Sequence, residues 1–532
     1  MPPMLDEVRS LSRRGLLKGA SASALLAALM PAASRSVWAN PVFSGNPFTL
    51  GVASGDPLPD GIVLWTRIAP DPLNGGGMPM QAVPVTWEVA SDDRMRTIVQ
   101  QGETLARPEL GHSVHVEVGG LEPARPYWYR FRVGREASRV GRTKTAPAPG
   151  ALPTALRFAN AGCQRYEDGY FTAYRHLARE ELDFVFHYGD YIYEYRARNG
   201  AAPTVRETLG DEIYTVVDYR NRYALYKRDA DLQAAHAAHP FLSSFDDHEV
   251  DNNWAGEISE EDGAGSSPAV PPEYFALRKQ MAFHAWYENM PVRRAQLPRG
   301  PAIAAYRTLR YGRLAQINVL DTRQYRDDQP CGDGTKEACP AQLNPNAQIL
   351  GPDQERWLFD GLAKSDTTWN VLAQQVMMMR RDVSTGTNAP QFSMDKWDAY
   401  PAARDRLMRH LEAAKVKGLV VLTGDIHNAW AGDLKADFLN PASATLGTEF
   451  IATSITTNGD GFDIDDLRRR QLDRNPHLRF FNNRRGYSVH EATKDRMVVH
   501  FRAVDSVSQP GAPLVTKASY AVEAAKPGVV DA

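Results

Sequence analysis

Short apolar runs separated by Gly, Pro and Asp recur along the chain, and they fall into two regimes. Between about Pro47 and Ala146 they alternate with period two, in Ile62–Arg67, Val85–Ala90, Ser113–Val118 and Tyr127–Val133. Such alternation turns one face of each strand inward, and the turn residues between the runs predict a small antiparallel sandwich. Ala146-Pro147-Ala148-Pro149-Gly150 predicts a short, stiff linker. Beyond it, solid apolar runs alternate with helix-spaced patterns. Strands are predicted over Ala155–Asn160, Leu182–His187, Phe241–Phe245, Ala315–Asp321, Trp369–Val376 and Gly418–Thr423. Helices are predicted over Gly169–Leu182, Tyr219–His239, from Gly351 onward, and over Pro401–Lys415. The alternation predicts βαβ units and a fold class of α/β, with two layers of sheet wrapped by helices.

The first residues read as an address. Ser12-Arg13-Arg14-Gly15-Leu16-Leu17-Lys18 precedes an Ala-rich apolar stretch, Ala20–Ala33, and small residues ending at Ala39. That layout predicts a twin-arginine export signal over residues 1–39. The stretch is too short to span a bilayer, and no later window holds the ~18 unbroken apolar residues a spanning helix needs. The expected organisation is therefore a signal (1–39), an all-β immunoglobulin/fibronectin-like domain (40–147), a catalytic domain (151–520) and a C-terminal tail (521–532). The mature chain is expected in the periplasm or outside, carried there folded by the twin-arginine machinery, with no transmembrane segment.

Composition narrows the function. The 532 residues are 43% hydrophobic and 23% charged, ample for a large core plus a smaller domain. A net charge of −3 gives no basic footprint for a dedicated nucleic-acid partner. Of the three cysteines, Cys331 and Cys339 bracket a short loop and are expected to pair in an oxidising compartment. Cys163 is left over, either an inert buried thiol or a metal ligand; its place just after a strand, beside Gly162, favours the ligand.

The candidate chemistry sits where strands end. Phe186-His187-Tyr188-Gly189-Asp190-Tyr191-Ile192-Tyr193-Glu194, Asp246-Asp247-His248-Glu249 and Gly424-Asp425-Ile426-His427 each follow an apolar run. Carboxyl ends of parallel strands are where open α/β sheets gather ligands. Asp190 can bridge two cations, and a tyrosinate from Tyr193 with Cys163 and His427 suits Fe(III). Asp247 and Asp425 make a second, carboxylate-rich set that favours Ca²⁺, Mg²⁺ or Mn²⁺. His187, His236 and His239 read as structural.

The order Gly-Asp-x-x-Tyr, Asp-His-Glu, Gly-Asp-x-His resembles metallophosphoesterases of purple acid phosphatase type. Together with Cys163, Phe245–Trp254, Asp321-Thr322-Arg323-Gln324-Tyr325-Arg326 and the leader, it resembles the PhoD-type alkaline phosphatase and phosphodiesterase family. The resemblance implies Fe³⁺ held by Cys163, Asp190, Tyr193 and His427. One or two Ca²⁺ would be held by Asp190, Asp247 and Asp425, with Mn²⁺ or Mg²⁺ as substitutes. A histidine of the purple phosphatases is missing here, leaving Asn252, Asn253 and Gln375 as further metal or phosphate contacts. The implied reaction is hydrolysis of small phosphate monoesters, diesters or both, by a metal-bound hydroxide or oxo nucleophile. Asp190, His248 and Arg323 are the expected catalytic residues, with His248 acting as acid or as hydrogen-bond donor and Arg323 reaching a phosphate oxygen or making a structural salt bridge. A phospholipase D-like phosphodiesterase is the alternative within the class. Outside it, an exported non-haem iron redox protein would not need Asp247 and Asp425, and a binding protein would leave all the acidic motifs unexplained.

Overall fold

A computed structural model describes residues 37–39, 41–198, 200, 204–259, 270–385 and 389–532. The paired arginines of the expected export signal lie outside the described residues.

Two sheets face each other. The first has ten strands, in the order Lys526–Asp531, Leu514–Glu523, Arg496–Val504, Arg485–Ala492, Leu156–Ala161, Phe184–His187, Pro240–Ser243, Val52–Leu58, Gly61–Arg67 and Ser113–Val118. The second has seven, in the order Arg307–Tyr311, Ala315–Val319, Trp369–Ala373, Leu419–Thr423, Thr445–Ile451, Ala429–Lys435 and Leu478–Asn482. The central strands of each run parallel: Leu156–Ala161, Phe184–His187 and Pro240–Ser243 in one, Ala315–Val319, Trp369–Ala373, Leu419–Thr423 and Thr445–Ile451 in the other. Being covered on both faces, they read as continuous apolar runs rather than as alternation.

Three apolar layers hold this stack. Between the sheets, Phe158, Phe186 and Leu242 meet Ile317, Val371, Val420 and Phe450. Helices Thr172–Leu177, Val216–Lys227, Ala230–Ala238 and Pro272–Asn289 cover the outer face of the first sheet through Leu177, Tyr223, Leu232, Phe283 and Trp286. Pro352–Ala363 and Pro401–Ala413 cover the second through Leu358, Leu362, Leu407 and Leu411. The α/β class with two helix-wrapped sheets is thus the fold observed.

The N-terminal β region is fused to this stack by its backbone. Val83–Ala90, Ile98–Ala106, Pro126–Val133, Glu136–Ala137 and Gly141–Lys144 form a separate sheet. Its facing strands, Val52–Leu58, Gly61–Arg67 and Ser113–Val118, continue the ten-stranded sheet, with Ser54 and Gly55 paired parallel to Pro240 and Phe241. The two regions share a sheet, so the β sandwich flanks Pro240–Ser243 through backbone pairing.

Other expectations change in detail. Residues 521–532 are no tail: Lys526–Asp531 turns back on Leu514–Glu523 as the edge strand, with Val529 N–H donating to Asp433 at 2.8 Å. The helix expected over Gly169–Leu182 shortens to Thr172–Leu177, because Tyr170 N–H is held on Val507 O in an extended segment. Tyr219–His239 is two helices, since Asp229 leaves helical geometry and caps Asp231 and Leu232 through its carboxylate. Pro272–Asn289 was not anticipated. Its buried face mixes Phe275, Phe283 and Trp286 with the charged Arg278, Lys279 and Glu288, which blurs the apolar period.

Both sheets present the carboxyl ends of their parallel strands to one crevice. The turns there are tight because Tyr188 lies between two glycines. A Cβ on Gly162 would fall 2.4 Å from the Tyr188 ring and one on Gly424 2.1 Å from it. Gly424→Ala should therefore destabilise the protein by about 1–3 kcal/mol through overpacking, read as a lower denaturant midpoint with unchanged slope.

Candidate metal centre

Four of the expected ligands sit in backbone that side chains seldom adopt. Cys163 has φ +51°, Asp190 +54°, Asp425 +65° and His427 +59°. Left-handed geometry at a non-glycine residue costs about 1–3 kcal/mol and persists where surrounding contacts over-determine it. Those contacts are visible. Glu249, fully buried, accepts the backbone N–H groups of Asp190 (3.0 Å), Tyr191 (2.7 Å) and Asp246 (2.9 Å), tying two strand-end loops together. Burial and the Asp190 charge push its carboxyl up to about 8, against the pull of those three amides.

Around Asp190 the first donor set converges. Oδ2 accepts the Cys163 thiol at 3.1 Å and the Tyr193 hydroxyl at 2.8 Å, while Tyr193 Oη lies 3.3 Å from His427 Nε2. Ligand atoms of Cys163, Asp190 and His427 lie within 4.8 Å of one another. Asp190 Oδ1 is buried with no hydrogen-bond partner. Burial, then the Asp190 charge, raises the Cys163 thiol and the Tyr193 phenol well above their ordinary values, so both are protonated when no cation is near. A thiol, a phenol, an imidazole and a carboxylate at these distances fit a hard, strongly acidic cation that can take both protons' places.

The second set abuts the first. Asp246, Asp247 and Asp425 bring carboxylate oxygens within 4.8 Å of one another, and Asp246 Oδ2 is buried without a partner. Arg323 lies wholly buried beneath them, with Nε on Asp246 at 2.6 Å, Nη1 on Asp395 at 2.7 Å and Nη2 3.2 Å from Asp425 and 3.5 Å from Asp247. Lys396 pairs with Asp395 and Asp425, and Arg326 with Asp395. Four carboxylates (Asp246, Asp247, Asp395, Asp425) thus share three fixed cations, and Asp190 adds a further negative charge beside them. Burial, only partly offset by Arg323, raises Asp246 well above the usual carboxylate range. An all-oxygen, net-negative pocket fits a divalent cation such as Ca²⁺.

Placement corrects some expectations. Arg323 spends its guanidinium on buried carboxylates, so it sets the charge of the pocket from below instead of reaching substrate. Gln375 has both amide atoms committed: Nε2 donates to Ser244 and Leu320 O, and Oε1 accepts from Thr322 N–H and Oγ1, which makes its side chain a strut between the sheets. Asn253 does come to the second set, its N–H donating to Asp247 Oδ2 at 2.9 Å, while Asn252 N–H donates to Glu194. His187, His236 and His239 bond to Gln164, Tyr191 and Leu177 O and are structural.

His248 lies beside both sets, its ligand atom within 4.8 Å of those of Asp190 and Asp247. Its Nδ1 pairs with Glu194 at 2.8 Å, and its ring packs on Tyr193 with centroids 4.1 Å apart. Burial alone would deprotonate it, but Glu194, Asp247 and Asp190 outweigh burial and raise it well above its ordinary value. Asp246, Asp395 and Lys396 were missed from the sequence. Asp246 adjoins Asp247 and was legible as part of the same motif, whereas Asp395-Lys396 follows no strand of the parallel set and carries no local signal.

Two family descriptions match the chain: PhoD-like phosphatase over residues 158–501, and PhoD-like phosphatase, N-terminal domain, over residues 32–147. The chain belongs to the PhoD-like phosphatase family. It is 50% identical over 493 residues to alkaline phosphatase D of Bacillus subtilis (strain 168), covering 92% of this chain and 83% of that protein. A solved structure of PhoD superposes with a TM-score of 0.89 at 50% identity, over 92% of this chain and 93% of that one. This PhoD-like chain is accordingly a phosphoric ester hydrolase.

Because Asp190 belongs to the first donor set and lies within 4.8 Å of Asp247 in the second, Asp190→Asn is expected to lower both metal contents together and to reduce phosphate release by orders of magnitude. His427→Ala should remove the first metal and spare the second. Elemental analysis of the two variants side by side checks this, and both metals retained in Asp190→Asn would refute the bridge.

Proposed function

We propose that this chain is exported by the twin-arginine route and hydrolyses small phosphate esters at a centre of Fe³⁺ and Ca²⁺. The observation that carries this reading is the pair of adjoining donor sets with unlike chemistry, one of thiol, phenol and imidazole, the other of carboxylates, meeting at Asp190. Cys163, Asp190, Tyr193 and His427 would hold iron; Asp190, Asp247, Asp425, Asp246 and the Asn253 amide would hold calcium. When bound, these ions lower the pKa of a water and neutralise charge on the phosphoryl oxygens. A redox protein would have no use for the acidic half, which favours hydrolysis over electron transfer.

The chain's own residues supply the remaining steps. Lys396 and Arg323 keep fixed positive charge against Asp425, so the carboxylate stays oriented as an acceptor. Glu194 fixes His248 by one nitrogen, which leaves the other to face the ester as donor, contributing about 10²- to 10⁴-fold if it protonates the leaving group. The Glu194 charge, with Asp247 and Asp190, favours the imidazolium of His248 and raises its pKa above the ordinary value against the pull of burial. Its raised pKa also contributes stability that is complete below the unfolded value and is lost as pH rises through the folded one.

Three measurements test the reading. Metal analysis of natively exported protein with rates on monoester and diester panels assigns both the ions and the ester class; colourless, iron-free, fully active enzyme would sink the ferric assignment. Mild chelation is expected to abolish turnover while the tyrosinate colour persists, with recovery on adding calcium; recovery with zinc alone would count against calcium. Glu194→Gln removes the charge that raises His248, so the alkaline limb of kcat/KM should move to lower pH, and an unmoved limb would show that another group donates.

A further inference from the structure

The loop closed by the Cys331–Cys339 disulfide lies mostly in solvent, yet it reaches into the acidic half of the centre twice. Asp333 leaves the loop to accept the Asn253 side-chain amide, Nδ2 to Oδ2, at 2.7 Å. Asn253 is the residue whose N–H rests on Asp247, and its carbonyl is held from the same side by Arg326 and Gln329, each at 2.7 Å. The loop's second reach is a strand. Thr335–Glu337 pairs antiparallel with Gln391–Ser393, and Met394 N–H donates to Gly334 O at 2.8 Å. The next two residues are Asp395 and Lys396, which carry the ion pairs to Arg323 and Asp425.

A carboxylate only accepts, so its contact with an amide nitrogen settles which way that amide is turned. With NH₂ committed to Asp333, the oxygen of Asn253 is the atom left to meet a cation. We propose that Asp333, held by the Cys331–Cys339 loop, is a positioning residue that turns Asn253 Oδ1 toward the second metal and braces Lys396 on Asp425. The disulfide then acts on the second metal alone: Cys163, Tyr193 and His427 have no contact with the loop among the described hydrogen bonds. This rests on the calcium reading of the second donor set.

Outer partners of metal ligands are worth about 10- to 100-fold in affinity. Calcium titration calorimetry on iron-loaded, calcium-stripped protein should show that Asp333→Ala weakens calcium by about that factor, while iron content, the charge-transfer band and the melting temperature of the calcium-free protein stay as in wild type. Asp333→Asn presents its oxygen to the same N–H and should restore most of the affinity. The double variant Cys331→Ser/Cys339→Ser should weaken calcium in the same direction, again with iron unmoved. Equal calcium affinity in wild type and Asp333→Ala would overturn the inference while leaving calcium in place. Asp333→Asn as weak as Asp333→Ala would overturn the amide-orienting role. Wild-type protein that takes up no calcium would overturn the calcium reading and this inference together.

Discussion

Everything at the crevice answers to one constraint, an excess of negative charge in a place with little water. Asp190, Asp246, Asp247, Asp395 and Asp425 are all buried, and the fixed cations Arg323, Arg326 and Lys396 fall short of neutralising them. Isolated carboxylates cannot be dried at such density, because each ionised group loses several kcal/mol of solvation. The chain has two remedies. Burial raises the Cys163 thiol, the Tyr193 phenol and the Asp246 carboxyl toward their neutral forms, and Arg323 is placed as a fully buried hub with four carboxylates within 3.5 Å. Neither satisfies Asp190 Oδ1 or Asp246 Oδ2, and those two oxygens mark where cations complete the balance.

The fold supplies what holds such a cluster. Parallel strands from two facing sheets end at the same crevice, so loops far apart in sequence present acids to one another without a long excursion. Gly189 (φ +131°) lets the Asp190 loop press on the Asp246 backbone, where a Cβ would come within 2.3 Å of Asp246 N. Glu249 then locks both loops by their amides. The buried acids are thus of two kinds, those that face cations and those, such as Glu249 and Glu194, that hold the first kind in place. Asp-Asp-His-Glu contributes both kinds in four consecutive residues.

Much of this was legible in the sequence, for a physical reason. Buried parallel strands advertise themselves as unbroken apolar runs, and a metal ligand following such a run stands out against it. Cys163, Asp190, Tyr193, Asp247, Asp425 and His427 were found that way and lie together in space. Asp395 and Lys396 escaped because they stand on a loop after a three-residue strand whose partner is the disulfide loop, a pairing with no local signature. Of the two readings the sequence leaves open for Arg323, phosphate contact or structural salt bridge, its guanidinium takes the second, with acid partners from three distant segments. Gln375 was drawn toward the site by an alignment of roles, although its amide atoms bridge the sheets. The helix Pro272–Asn289 was lost for a related reason: Arg278 and Glu288 are buried in ion pairs and Lys279 on the Gly256 carbonyl, so hydropathy no longer reports its inner face.

The shared sheet links these levels. Had the N-terminal β region been tethered only by the Pro-rich segment 146–150, its stability would bear on the catalytic half only weakly. Instead Val52–Leu58 is the direct neighbour of Pro240–Ser243, the strand that delivers Asp246 and Asp247, and Arg307 ties Asp56 to Ser243 O at 2.7 and 3.0 Å. The register of that strand sets where Asp246 and Asp247 stand, and Glu249 passes it on to the Asp190 loop, while Asp425 is placed by Leu419–Thr423 of the facing sheet. Each half of the centre thus draws on both sheets: Cys163 and Asp190 follow inner strands of the first, Asp425 and His427 follow Leu419–Thr423 of the second, and Asp246 and Asp247 follow a strand paired with the N-terminal region and linked through Asn253 to the disulfide-closed loop.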